Sequence, residues 1–294
     1  MESSVQSKKL TPGKVITNVV LVLLAIFFIF PLYWIITGSF KDPVAVNANP
    51  PVWFPTNPTL YNYERLFQNP ALRWLGNTVF MAVMAMLLTC ITASMAGYAL
   101  AKKRFPGRAL VFSIMICAMA LPKQVILIPL LKEMSFFNLH DNIWSVILPT
   151  VGWPFGVFLM KQFSETIPGE MLEAARIDGA GEALTFVKIV LPMVTPGIGA
   201  LAIFTFINSW NDYFLQLIML SSRNNLTISL GIAKLQAEMS NDFGLIMAGA
   251  ALAAIPIIAV FLAFQKYFTQ GIAMTAMNTV LPSQRSAGFW NRRS

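Results

Sequence analysis

Apolar residues in this chain come in long runs, separated by shorter stretches that carry nearly all of the charge. A helix needs about 20 mostly apolar residues to cross ~30 Å of hydrocarbon. Six segments reach or approach that length. Val15 to Thr37 and Asn77 to Ala101 contain no charged residue. A third run, 109–131, is interrupted at Leu121-Pro122-Lys123 and resumes as Val125 to Leu131. The fourth spans about Ile143 to Met160, the fifth Pro196 to Leu220 and the sixth Leu245 to Phe264. The pattern predicts an all-α, polytopic membrane protein with six transmembrane helices. Lys8, Lys9 and Lys14 before the first run resemble the start of a secretory signal. That run exceeds a signal core and no A-x-A-like site follows, so it reads as a retained span.

Composition agrees. Of 294 residues, 56% are apolar and 12% charged, a share of apolar surface that a water-soluble fold of this length could not hide. The net charge of +8 raises nucleic acid as a partner. The basic residues, however, alternate with apolar runs instead of forming one patch, which is a membrane pattern and argues against nucleic acid. With the first residues inside, the inner segments hold Lys102, Lys103, Arg104, Arg108, Lys161, Arg176, Lys188 and Lys266. Inner basic residues then outnumber outer ones about two to one, which places both termini in the cytoplasm. Residues 1–14 and 269–294 are cytoplasmic tails on this reading, and 15–268 is the membrane domain.

Cys90 and Cys117 lie inside apolar runs and the single histidine is His140, so neither a disulfide framework nor a metal site is expected. Gly-x-x-x-x-Gly-Lys-Ser/Thr is absent, so the chain itself has no phosphate cradle of that kind.

Two groups of polar residues fall at membrane depth. Asn208, Asn211 and Asp212 stand at i, i+3 and i+4, on one face of the expected fifth helix, with Trp210 and Tyr213 nearby. Intramembrane amides and carboxylates face an interior or a watery path. Asn208, Trp210, Asn211 and Asp212 are therefore candidates for a substrate path, or equally for hydrogen bonds between helices. Lys123 either lines such a path or snorkels from a kink at the outer interface.

The stretch 161–195 is too polar to be a span and too patterned to be a linker. Pro168 suits a first helical turn with Glu170 beside it at the positive dipole end. A helix then runs to Ile177, where Asp178-Gly179 breaks it. A second helix fits Glu182 to Val190, with Phe186, Ile189 and Val190 on one face, before Leu191-Pro192 stops it. Ala174 and Ala175 leave one side flat, and Glu173 supplies a charge to pair. Of the outer connections, Gly38 to Arg73 is rich in Pro and Asn and reads as an ordered surface loop, and Ser221 to Phe243 as a polar loop.

The spaced set Glu173-Ala174-Ala175, Gly179, Ile189 and Leu191-Pro192 resembles the EAA loop of binding-protein-dependent ABC importers, in the version of MalG-type carbohydrate permeases. Phe206-Ile-Asn-Ser-Trp-Asn-Asp-Tyr213, Arg104-Phe-Pro-Gly107 and Phe264-Gln-Lys-Tyr-Phe268 extend the resemblance over nearly the whole chain. It implies a type I ABC importer permease fold whose loop is a coupling helix seated on an ATPase subunit. Glu173, Ala174, Ala175, Asp178, Gly179, Ile189, Leu191 and Pro192 would be the coupling residues. It implies a non-catalytic transport subunit in the bacterial cytoplasmic (inner) membrane. A second permease subunit, two ATPase subunits holding ATP and Mg, and an external sugar-binding protein would complete the machine. The cargo the resemblance implies is a carbohydrate, of the oligosaccharide kind. The alternatives are a stand-alone secondary transporter or channel, which the spaced loop does not explain, and an intramembrane enzyme, for which the spans offer no catalytic constellation.

Overall fold

The computed structural model describes residues 12–239 and 242–280, with backbone alone at 12 and 264–280. Among them every regular element is helical: α1 (Pro12–Ser39), α2 (Pro43–Val46), α3 (Tyr61–Phe67), α4 (Ala71–Lys102), α5 (Arg108–Met119), α6 (Lys123–Phe136), α7 (Trp144–Val151), α8 (Phe155–Glu165), α9 (Gly169–Ile177), α10 (Glu182–Thr185), a π-turn (Phe186–Val190), α11 (Leu191–Met193), α12 (Thr195–Asn211), α13 (Tyr213–Met219), α14 (Ile228–Glu238) and α15 (Phe243–Val280).

Four stretches are long and apolar enough to cross a membrane: α1, α4, α7 with α8 (Trp144–Glu165), and the first part of α15. Two bent pairs, α5 with α6 (108°) and α10–α11 with α12 (76°), bring the number to six if each pair is one span. The expected third run is thus two helices meeting at a sharp bend. Pro122 has no N–H to give and biases Leu121 away from helical angles, which ends the first helix. The sixth helix continues past the expected limit of 268 as far as Val280, so the boundary drawn there for a tail does not mark a helix end. The rest of that tail, 281–294, and most of the N-terminal one, 1–11, lie outside the described residues.

The chain divides into two compact units: one up to Ala71 with Ile232–Leu252, the other Leu72–Gly231 with α15 from Ala253. In the first, the loop after α1 is ordered, as its composition suggested. Asn62 donates to the Ser39 and Lys41 carbonyls at 3.0 and 2.7 Å. The Lys41 side chain is buried against the Trp34 ring, and Arg65 pairs with Asp242. Much of α1 leaves Leu, Val, Ile and Phe side chains uncovered, as lipid or another subunit would require.

In the second unit, the connection after α13 is stitched down rather than free. Ser221 and Ser222 N–H donate to Asp141 Oδ1 at 2.8 and 2.9 Å, and the Ser222 hydroxyl donates to the same carboxylate. Asn77 Nδ2 donates to the carbonyls of Asn224 and Leu226, both at 2.9 Å, and Trp74 Nε1 to that of Arg223 at 2.6 Å. Stretch 221–243 is more than the polar loop expected, because it contains the 11-residue α14, whose residues from Ile232 belong to the first unit. Its Ile228, Leu230 and Leu235 are buried.

Candidate functional site

The stretch 161–195 folds as two arms about a glycine. Pro168 stands just before α9, in extended conformation, rather than in the first turn as expected, and Glu170 occupies the first turn. At the other end Gly179 takes φ 76°, a left-handed value that costs a residue with a Cβ about 1–2 kcal/mol. Gly179 N–H donates to Arg176 O at 3.1 Å and Ala180 N–H to Ala175 O at 2.9 Å, closing the helix end with paired reverse bonds. The sequence marked this bend correctly.

The faces of α9 differ from the flat alanine side expected. Ala175 is 6% exposed and turned into the fold, while Ala174 is exposed. Glu170, Glu173, Ala174 and Ile177 recur at helical spacing, and all are exposed. Ile177 is 87% exposed. A nearly bare isoleucine thus stands framed by two glutamates, where the sequence pattern marks Ile177 only as a helix end.

The second arm also departs from expectation. Leu191-Pro192 does not stop it: the helix passes through the π-turn into α11 and bends after Met193. The wider turn is closed by Leu191 N–H to Phe186 O. Pro192 then sits in the first turn of α11, where its missing N–H is not needed. Ile189 and Leu191 are half-buried and Pro192 is exposed, while Asp178 and Gly179 are exposed at the bend.

Both arms are fastened to α4 and α8. Ala93, Tyr98, Met160, Ile167, Val190, Val194 and Leu201 form one buried cluster, with Phe186 and Leu172 packed on it. A Cβ at Gly97 would come within 2.6 Å of Lys161 N and 2.7 Å of the Met160 carbonyl carbon, so α4 and α8 touch backbone to backbone there. Lys102 Nζ donates to the carbonyls of Glu165 and Ile167 at 3.0 and 2.6 Å, capping the end of α8. Lys103 pairs with Glu182, which Arg176 also approaches at 3.5 Å. The bond from Lys103 holds the Glu182 carboxyl below its usual range. Burial alone would lower the Lys103 pKa, but the bonds to Glu182 and Tyr98 raise it. Glu182 thus gathers the first arm, the second arm and the end of α4. In the sequence Lys102 and Lys103 registered only as topology-setting charge; the opposite charge of Glu182 was the available signal.

A second site lies where spans break. The expected common face of Asn208, Asn211 and Asp212 ends at Asn211, because Asp212 (ψ 69°) interrupts the helix and its carboxylate accepts from Leu215 N–H. Asn208 and Asn211 are exposed and donate to their own helix at Phe204 O (2.8 Å) and Ile207 O (2.9 Å). Trp210 is 2% exposed and packs inside beside Phe206, so its ring does not face open space. Asp212 instead meets Lys123, Nζ to Oδ2 3.4 Å, and Lys123 lies 4.9 Å from the centre of the Trp153 ring. These three residues border a cavity of about 540 Å³. Lys123 thus lines this cavity at the bend between α5 and α6.

Residues 93–274 match the family described as "Binding-protein-dependent transport system inner membrane component". The chain belongs to this family. It is 32% identical over 255 residues to the arabinooligosaccharides transport system permease protein AraQ of Halalkalibacterium halodurans, covering 85% of this chain and 91% of that protein. It is 35% identical over 269 residues to the maltodextrin transport system permease protein MdxG of Bacillus subtilis, covering 88% and 94%. Its fold is that of a chain in the crystal structure of a bacterial ABC transporter involved in the import of alginate (TM-score 0.78, 22% identity, 91% of this chain and 100% of that one). The expected permease resemblance and all-α membrane fold are thereby established.

Proposed function

We propose that this chain is the permease subunit of an ATP-driven, binding-protein-dependent importer of a carbohydrate, with α9 as its coupling helix. The carbohydrate class is supported by relatives named for arabinooligosaccharide and maltodextrin transport. The observation that carries the coupling role is the outward face of α9, where Glu173, Ala174 and bare Ile177 stand beside the Gly179 bend. A helix so presented seats its isoleucine and small alanine in a groove, and its glutamate pairs with a basic rim.

In this reading closure of two ATPase subunits, which hold ATP and Mg, pushes α9. The push passes through the shared core and the Glu182 cluster into α4, α8 and α12, and rocks the spans between inward- and outward-facing states. Asp178, Gly179, Ile189, Leu191 and Pro192 shape the lever, and Ala175 roots it. A second permease subunit completes the path, and an external binding protein delivers the sugar. Asn208, Asn211 and Asp212 belong to that path, and Trp210 supports it from within. The basic-residue bias puts the loop and both termini on the cytoplasmic side of the inner membrane.

The test is reconstitution in proteoliposomes with the products of neighbouring genes and a carbohydrate screen for stimulated ATP hydrolysis. Sugar-dependent stimulation that is lost in a Glu173→Lys, Gly179→Val double variant supports the reading. Normal uptake by that variant overturns the coupling role.

A further inference from the structure

Three helices are interrupted at one place. α5 gives way to α6 just before Lys123, α7 to α8 at Trp153, and α12 to α13 at Asp212. The side chains at these breaks converge: Lys123 bonds Asp212 and lies over Trp153. Backbone is irregular within a membrane only where it is buried in protein or lines a cavity. Here it borders a cavity of about 540 Å³, within the range of small-ligand sites.

We propose that this cavity is a sugar subsite on the import path and that it selects uncharged saccharides; the inference rests on the carbohydrate-importer reading above. The donor set fits a polyol. Trp153 offers an apolar ring of the kind that a pyranose or furanose face covers. Asp212 accepts hydroxyl protons, and Lys123 donates to hydroxyl oxygens. Gln124 adds groups that both donate and accept, and Thr150, whose hydroxyl donates to Val146 O at 2.8 Å, adds an accepting oxygen.

A second observation points the same way. Thr89 is 3% exposed and its hydroxyl has no hydrogen-bond partner. It lines a small adjoining space of about 30 Å³ together with Lys123, Thr150 and Trp153. A buried hydroxyl without a partner is costly, and a ligand hydroxyl or its water reaching from the larger cavity would satisfy it.

Charge sets the class. Lys123 and Asp212 cancel, and Glu133 also lines the cavity. The charged groups around a bound sugar therefore sum to one negative. A uronate or sulfonate would be repelled, whereas a neutral sugar meets paired donors and acceptors.

The experiment uses the assembled importer in nanodiscs without its binding protein, so that only the membrane subunits select. Saturation-transfer NMR reads neutral maltotriose and arabinotriose against anionic trigalacturonate. Expected is a signal from a neutral probe at least about tenfold above that of trigalacturonate. It falls roughly five- to tenfold in Trp153→Leu and is largely kept in Trp153→Tyr, which preserves a ring face. Equal signals for neutral and anionic probes, no signal from either neutral probe, or no change in Trp153→Leu overturn the subsite. The companion assay, sugar-stimulated ATP hydrolysis with the binding protein present, separates the two readings. Stimulation with a failed NMR result sinks the subsite alone. Absence of stimulation by any carbohydrate sinks both.

Discussion

Lys103, one residue beyond the end of α4, forms an ion pair with Glu182 at the start of the second loop arm. The contact joins residues 79 apart in sequence. It gives the lever a charged attachment beside its apolar one, the packing of Phe186 on Tyr98.

Removing that attachment should loosen coupling more than folding. An exposed pair contributes about 1 kcal/mol or less to stability. Glu182→Gln and Lys103→Met are each expected to lower the sugar imported per ATP hydrolysed by a factor of about two to five, the span of such an energy. The swapped pair Lys103→Glu, Glu182→Lys should recover part of the loss. A double-mutant cycle on the import-to-hydrolysis ratio checks this. Glu182, held low, keeps its contribution above the normal carboxylate range and loses it as pH falls through its lowered value. Lys103, held high, keeps its contribution below the normal lysine range. The effect should therefore be flat between pH 6 and pH 9.

Gly179 carries a backbone requirement. With φ at 76°, Gly179→Val should cost at least ~1–2 kcal/mol and disorder the end of α9. Gly179→Asn should do much less harm, because asparagine tolerates the left-handed region. Uptake rates should rank glycine, asparagine, valine; equal rates for the last two would contradict the assignment of the bend.

Gly97 carries a space requirement instead. The Cβ of Gly97→Ala would press within 2.7 Å of backbone in α8. Overpacking of that kind costs ~1–3 kcal/mol. The variant should show a lower melting temperature in detergent and reduced yield of the assembled complex.

Asp141 predicts a pH response. Burial would raise its pKa, but hydrogen bonds from the Ser222 hydroxyl, the N–H groups of Ser221 and Ser222, and Asn225 bring it to about 2. A depressed carboxylate stabilises above its unfolded value of 3.8 and loses that contribution as pH falls toward 2. The difference in thermal stability between wild type and Asp141→Asn should be constant above pH 5 and shrink toward pH 2.

What the sequence disclosed follows from how each feature is encoded. The long apolar helices α1 and α4 and the Gly179 bend are local: uncharged runs announce the first, and Asp178-Gly179 the second. The break at Asp212 was hidden because one aspartate in an apolar run does not show whether the helix continues. The passage of α11 through Pro192 depends on a π-turn upstream, which no residue type signals. Helix α14 was missed because polar neighbours dilute Ile228, Leu230 and Leu235. The opposed faces of Ala174 and Ala175 are set by tertiary packing against the α4–α8 core, and two identical residues carry no sign of it.

That last contrast gives the most direct test of the coupling role. In a Cys90→Ser, Cys117→Ser background, single cysteines are placed at 174 and at 175, and the complete importer is treated with a short thiol cross-linker. Expected is a product joining Ala174→Cys to the ATPase subunit and little or none from Ala175→Cys, whose position is 6% exposed. Cross-linking at 175 but not 174, or at neither in a complex that still imports sugar, would contradict it.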